Sequence, residues 1–458
     1  MSFEDGLTAV ADTLCGYPLF IALIGGGLVL FFGSRMVSLR RLPSALAVLR
    51  ERQSAGKGEI TSLQALASVA AATVGMGNIA GVAIAIMMGG PGAIFWMWVS
   101  AVIGMSTKYH EGVLAVKYRS RDSEGRPLGG TMHIIRNGLG RRWRPLASFF
   151  AFAGMFGTLC IMNANQLTEA VTATAQTVAD VGNPLLFKTA VGVLIALTVG
   201  LVVIGGVGRI ARVASVLVPF MVTAYFLMVA YIIATHLADV PGVFASIFGE
   251  AFNLRAGWGA LAGIAIIGAR RAALVNDAGI GTASILHGSS ASREPAREGL
   301  TAMLCPALDS GFVCTLTAFA ILLCYDPATA GGKGLSVAVE AFGNGIPAGE
   351  YLLMVVVGCF ALSSMFSYSF YGRSCASYLF GERGAKIYTW LFILSLVVFA
   401  VVPLRAAVGL CDLFYALMAF PTMLTLLLLR KEVWAETDSF FKQRAAAAAE
   451  RRTTIETT

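Results

Sequence analysis

The sequence predicts an all-α membrane protein of eleven transmembrane helices, one additional N-terminal span plus a five-plus-five arrangement whose second and seventh spans are broken. Three observations predict it. Of 458 residues, 57% are hydrophobic and 13% charged, with a mean hydropathy of +0.75; a soluble domain carries about twice that charge. The apolar residues fall into runs of membrane-crossing length, about 20 residues. Two of those runs are too long for one straight helix and are interrupted by glycines.

The runs lie at 17–33, 62–88, 92–115, 147–174, 186–204, 213–236, 256–283, 300–324, 350–371, 386–403 and 408–429. The N-terminus, Met1-Ser2-Phe3-Glu4-Asp5, is acidic and lacks the basic start of a cleavable signal, so span 1 is expected to be retained. With the N-terminus outside and the C-terminus cytoplasmic, thirty of the 34 Lys and Arg fall in inner segments, leaving Lys188, Arg255, Lys333 and Arg405 outside. That is the positive-inside bias, and it accounts for the +8 net charge without a nucleic-acid surface. Spans 2–6 and 7–11 have nearly equal lengths, and an odd-numbered unit, if repeated, enters the membrane upside down the second time. The expected division is 1–61, an N-terminal span with a cytoplasmic amphipathic segment; 62–236 and 256–430, the two five-helix units; and 431–458, a cytoplasmic tail. Segment 36–55 is basic and amphipathic, suited to the inner membrane surface. The tail stretch 443–452, QRAAAAAERR, has low complexity and carries no chemistry.

Several function classes find no support in the residues. The eight cysteines sit in or beside apolar runs with no CxxC pair, as membrane-buried apolar fillers do. His110-Glu111 is not a zinc motif, because position 114 is Leu. There is no GxSxG elbow and no GxxxxGK[ST] phosphate loop, which points away from an enzyme or an ATP-driven pump. No repeated carbonyl-filter motif supports a channel, and no soluble signalling domain supports a receptor.

Span 2 carries the most specific signal. Ser62 to Met88 is 27 residues, roughly 40 Å as helix, broken by Val74-Gly75-Met76-Gly77-Asn78-Ile79-Ala80-Gly81. Backbone freed from helical bonding at membrane depth must line a cavity or be buried in protein. The N–H groups of Met76 and Gly77 would suit a carboxylate, as helix N-termini do. The carbonyls near Ala71 and Val74, with the side-chain carbonyl of Asn78, would suit a small hard cation. The bland alternative is a glycine-permitted helix crossing. Span 7 repeats the pattern more weakly, with Gly257, Gly259, Gly263 and Gly268, then Val275-Asn276-Asp277-Ala278-Gly279-Ile280-Gly281. Ionisable groups inside spans, Glu111, Glu169, Asp277, Asp309 and Asp412 with His287 nearby, are proton or sodium ligands on one reading. On the other they cap broken helices or pair with one another and with Arg270, Arg271 or Arg405.

Residues Gly77–Trp98, GNIAGVAIAIMMGGPGAIFWMW, closely resemble the signature of the alanine/glycine:cation symporter family, and the likeness extends from about Gly58 to Arg430. Pro219-Phe220-Met221, Val275 to Thr282, Asp309-Ser310, Cys314-Thr315-Leu316-Thr317, Phe360 to Ser364, Tyr371-Gly372, Tyr378 to Gly381, Asp412 and Phe420-Pro421 also fit. The resemblance implies a leucine-transporter-like fold and sodium-coupled import of a small neutral or polar amino acid in a bacterial inner membrane, by a monomer with no organic cofactor. It further implies a sodium ion held by carbonyls of Ala71, Val74 and Phe360 with the hydroxyls of Ser363 and Ser364; serines so placed are otherwise back-bonded to their own helix. A proton-coupled or exchanging carrier of the same fold is the alternative. The substrate is expected at Gly75, Met76, Gly77, Asn163, Gln166 and Tyr368. Here the chain departs from the family pattern: Met76 replaces Thr, Asn163 replaces Gln, VNDAG replaces SNEAG, and Tyr368 replaces Trp. Glu169 fits an acidic position found in some members and is given no role.

Overall fold

The computed structural model describes residues 13–50 apart from Cys15, 60–178, 182–252, 258–325 and 334–456. Expectations resting on Cys15, on 51–55, on Gly257, and on Arg255, Lys333 and the side chain of Arg405 lie outside the described residues. The helices that position the site are α1 (Tyr17–Gly33), α2 (Ser62–Thr73), α3 (Gly77–Gly89), α4 (Gly92–Lys117), α5 (Arg144–Gly157), α6 (Ile161–Val178), α7 (Pro184–Val203), α8 (Gly206–Thr235), α9 (Val240–Ala251), α10 (Trp258–Val275), α11 (Ala283–Gly288), α12 (Pro295–Cys324), α13 (Leu335–Gly345), α14 (Gly349–Val401) and α15 (Ala407–Ala446).

Among the described residues, six helices are long and apolar enough to cross a membrane: the rod Arg141–Gln176, which joins α5 to α6, and α7, α8, α12, α14 and α15. The bent pair α2–α3 is a seventh. Helices α4 and α10 have crossing length but hold charges in their interiors, Lys108 and Glu111 in one, Arg270 and Arg271 in the other. Apolar faces turn outward where lipid would lie: Leu194, Leu197 and Leu201 on α7, Val216, Phe220 and Leu227 on α8, and Leu391, Leu394 and Val398 on α14 are all exposed. A water-soluble protein does not leave such surfaces uncovered. This is a multi-pass membrane protein.

The first break forms where the sequence places it. Thr61 starts α2 with a reciprocal cap, its hydroxyl accepting the Gln64 N–H while the Gln64 side chain accepts the Thr61 N–H. The helix ends at Val74, whose ψ of 88° is not helical, and α3 departs at 55°. The second break runs from Asn276 to Thr282 between α10 and α11; Asp277 is left-handed at φ 53°, with Gly279 and Gly281 at φ 88° and 92°. A non-glycine residue seldom takes that conformation unless its surroundings fix it. Here Asn276 accepts the Ala278 N–H, Glu111 accepts the Gly279 N–H at 2.7 Å, and Thr422 donates to the Ile280 carbonyl. Helix α4 packs against α10, α11 and α12, and α14 packs against α5, α6, α7, α8 and α2, so both breaks are enclosed by helices.

Helix α14 is two helices that meet at Gly381, whose φ of 68° supplies the turn between the segments read as spans 9 and 10. Two features differ from the sequence expectation. Helices α9 and α13 occupy segments read as connectors; α9 lies on the start of α4, where Phe248 and Phe252 pack edge-on against Phe95. Lys108, counted among the cytoplasmic charges, is wholly buried within α4. In the connector after α4, β1 (Ser120–Arg121) pairs antiparallel with β2 (Pro127–Leu128).

Candidate functional site

Two serines of α14 reach across to the end of α2. Ser363 donates to the Ala71 carbonyl at 3.1 Å and to Phe360 at 2.9 Å, while Ser364 lies 3.2, 3.0 and 3.1 Å from the carbonyls of Ala71, Ala72 and Phe360. The sequence expectation thus brings together Ala71, Phe360, Ser363 and Ser364, and the structure adds Ala72. Val74 makes the kink itself. The two hydroxyls, with one proton each, face three carbonyls, so five oxygens are concentrated here. Hard cations seek such a set. Glycine at 75 is needed here, because a Cβ would come within 2.6 Å of Ser364 Oγ.

Asn78 is placed differently from its sequence role. Its Oδ1 accepts the Gly75 N–H at 3.0 Å and its Nδ2 donates to Asp309 Oδ1. This is a backward cap from the second residue of α3 onto an N–H two residues before the helix. The side-chain carbonyl that sequence reasoning assigned to a cation is engaged in fixing the break. With Gly75 capped, the amides of Met76 and Gly77 head α3, where first-turn N–H groups have no intrahelical partner.

Those amides border a cavity of about 140 Å3 between the two breaks. Gly75, Met76, Gly77, Asn163, Gln166 and Tyr368, all six residues expected to meet substrate, line it. Gln166 Oε1 is buried there with no hydrogen-bond partner among the described residues. Its neighbour Asn165 points its amide away, to the carbonyls of Phe399 and Val402. The volume holds a small solute, the share of four or five waters at about 30 Å3 each.

Asp277 and Asp412, read from the sequence as candidate proton or sodium ligands, also line the cavity, together with two residues that sequence reasoning did not place there, Arg271 and Tyr415. Tyr368 donates to Asp277 Oδ2, Thr282 adds a longer bond at 3.3 Å, and Tyr415 donates to Tyr368 at 2.8 Å with its ring stacked on it. Arg271 and Asp412 face each other as opposite charges. A signal did exist, since each is a charged or phenolic residue inside an apolar run. Two further acids are paired within the fold. Glu298 bridges Ser62, at the start of α2, and His287 on α11 at 2.7 Å, which joins the two half-helices on one side of the breaks. Glu169 pairs with Lys188 at 2.5 Å on a partly exposed face.

A sequence profile of the sodium:alanine symporter family matches residues 1–454. The chain is 37% identical over 454 residues to an uncharacterized transporter of Haemophilus influenzae, covering 97% of each. It is 34% identical to the sodium/alanine symporter AgcS of Methanococcus maripaludis, covering 96% of this chain and 98% of that protein. Among solved structures, MhsT in complex with L-phenylalanine superposes with a TM-score of 0.57 at 17% identity, over 82% of this chain and 91% of that one. At that identity the likeness concerns the fold alone.

Proposed function

This chain belongs to the sodium:alanine symporter family, an amino-acid:cation symporter family, and we propose that it imports a small amino acid with sodium by alternating access. The observation that carries the proposal is the oxygen cluster of Ala71, Ala72, Phe360, Ser363 and Ser364, set directly against the first break. Sodium entering it would be held by those oxygens and tie α2 to α14. The substrate carboxylate then lies at the Met76 and Gly77 amides, where the α3 dipole favours an anion. Ion and carboxylate meet the same seven-residue stretch, Ala71 to Gly77, so each favours the conformation the other needs, which is coupling in the thermodynamic sense.

The wider organisation is read accordingly. Eleven crossings place the N-terminus outside and the C-terminus in the cytoplasm, and 62–236 and 256–430 are inverted units with the substrate at their interface. Helices α2 and α11, linked through Glu298, move together when the inner side opens.

The deciding experiment is uptake of labelled small amino acids by proteoliposomes under sodium or proton gradients imposed separately. Accumulation is expected with inward sodium alone. Accumulation that persists without sodium and collapses with a protonophore would instead support the proton-coupled reading.

A further inference from the structure

Lys108 is excluded from solvent on α4, and its Nζ has no hydrogen-bond partner among the described residues. Three carboxylates on three elements share its surroundings: Glu111 one turn along, Asp277 at the second break and Asp309 on α12. Helix α4 packs against α12, which carries Asp309, and Glu111 Oε1 accepts the N–H of Gly279, two residues from Asp277, so the stretch of α4 that holds Lys108 runs past all three. Glu111 Oε2, Asp309 Oδ2 and the Tyr371 hydroxyl are also buried and unpartnered there. Open polar atoms in such number mark a place where charge or water compensates. The other titratable groups facing the cluster are His110, bonded to the Ser106 carbonyl, His287, which lies toward Glu111, Cys305 beside Asp309, and Tyr368 on Asp277. Arg271 faces Asp412 instead. Lys108 is therefore the cation that these acids share.

We infer that the Lys108 ammonium is a built-in counter-cation of the transport core, holding Asp277 on the cavity wall as the anion that meets the substrate's ammonium group. Carboxylates crowded inside a membrane protein either find a cation or take up protons. A fixed lysine supplies the first answer permanently and leaves Asp277 charged without drawing a coupling ion. Lys108 is a positioning residue, acting through Asp277. The ammonium half of the inference rests on the amino-acid reading above; the counter-cation half does not.

The test uses the full-length chain in detergent, melted without amino acid from about pH 5 to about pH 8. In Lys108→Met the acids hold protons more tightly folded than unfolded, so stability is greatest at acid pH and is lost as pH rises. Its melting temperature should fall across the range by several degrees more than the wild type's, while Lys108→Arg follows the wild type. Glu111→Gln, which keeps an acceptor for Gly279, removes one negative charge, so Lys108→Met/Glu111→Gln should return most of the way to the wild-type profile. A purely steric role would lower melting equally at every pH, and parallel profiles for wild type and Lys108→Met overturn the inference. If Lys108→Met yields no folded protein, recovery by the double variant supports it and failure of both overturns it. Absence of substrate keeps this outcome separate from any failure of the amino-acid reading. A second arm measures stabilisation by alanine and by propionate, which lacks the amine. Stabilisation by alanine alone is expected, and equal stabilisation by both overturns the ammonium assignment.

Discussion

Tyr368 on α14 donates its hydroxyl to Asp277, the left-handed residue at the second helix break, 91 positions away. Both are positions where the sequence departs from the motifs it otherwise resembles, and they are one contact, lying on the wall of the cavity. The pair also explains how Asp277 tolerates its backbone conformation, since Tyr368 and Thr282 both hold its carboxylate.

Removing the phenol should therefore loosen the break and the binding site together. Tyr368→Phe leaves Asp277 with only the longer Thr282 bond. Hydrogen bonds to charged groups contribute about 1.5–3 kcal/mol, so apparent substrate affinity should weaken about tenfold to a hundredfold with the fold retained. Asp277→Asn should act similarly, and the double variant should cost clearly less than the sum. Additive losses in a competition assay would show that the two side chains work separately.

The two breaks and the serine cluster were legible in the sequence because each is local: glycines interrupt an over-long run, or two adjacent hydroxyls sit in a recognisable motif. What was not legible depends on rotation and register between helices. Asn78 carries an attractive side-chain carbonyl, yet only the path of the backbone shows that it turns back to cap Gly75. Lys108 lies near the end of an apolar run and reads as a cytoplasmic charge; packing by α10 and α12 is what buries it. Glu298 sits at the inner end of a span, and no local pattern announces that it bridges Ser62 and His287.

The serine pair gives the second prediction. Ser363→Ala with Ser364→Ala removes two of five oxygens, leaving the carbonyls of Ala71, Ala72 and Phe360. The sodium concentration giving half-maximal uptake should rise at least tenfold, taking about 1.5 kcal/mol as the smaller loss for a ligand to a charge. The detergent melting temperature without sodium should fall, since both hydroxyls bond across to α2, and added sodium should raise it far less than in the wild type. An unchanged sodium requirement would place the ion elsewhere.

Glu298 makes a stability prediction. Its carboxylate is fully buried between Ser62 and His287, so Glu298→Ala removes the acceptor of the Ser62 hydroxyl and the partner of the His287 ring nitrogen. Removing the partner of a buried polar group costs about 1–3 kcal/mol, and the melting temperature should drop accordingly. Glu298→Gln, which keeps an acceptor and a donor, should lose less. If the alanine variant melts like the wild type, the bridge contributes nothing to the fold.

Carboxylate recognition at Met76 and Gly77 is tested from both sides. Amino-acid amides carry no carboxylate and should fail to compete for uptake. On the protein side, a Cβ at Gly77 would lie 3.3 Å from Val275 Cγ2, so Gly77→Ala asks for a small adjustment while Gly77→Val collides with α10. Gly77→Val should abolish binding; Gly77→Ala should weaken it. Competition by amides equal to that of the free acids would remove the helix terminus as the anion site.

The last prediction concerns substrate range. Asn163, one methylene shorter than glutamine, widens the α6 wall, and Gln166 presents an open carbonyl beside it. Met76 takes back space in an adaptable form, while the Asp277–Tyr368 pair puts hydrogen-bonding groups where the family has a bulky indole. A site that hydrogen-bonds a substrate group discriminates far more strongly than one sized for a methylene. Serine, threonine, asparagine or glutamine should thus compete better than glycine. Reverting the pair together, Asp277→Glu with Tyr368→Trp, should restore a working contact and move preference back toward alanine and glycine, whereas either change alone should impair all substrates. A wild-type ranking with glycine and alanine clearly first, left unmoved by the double reversion, would show that these substitutions preserve the family's usual pocket.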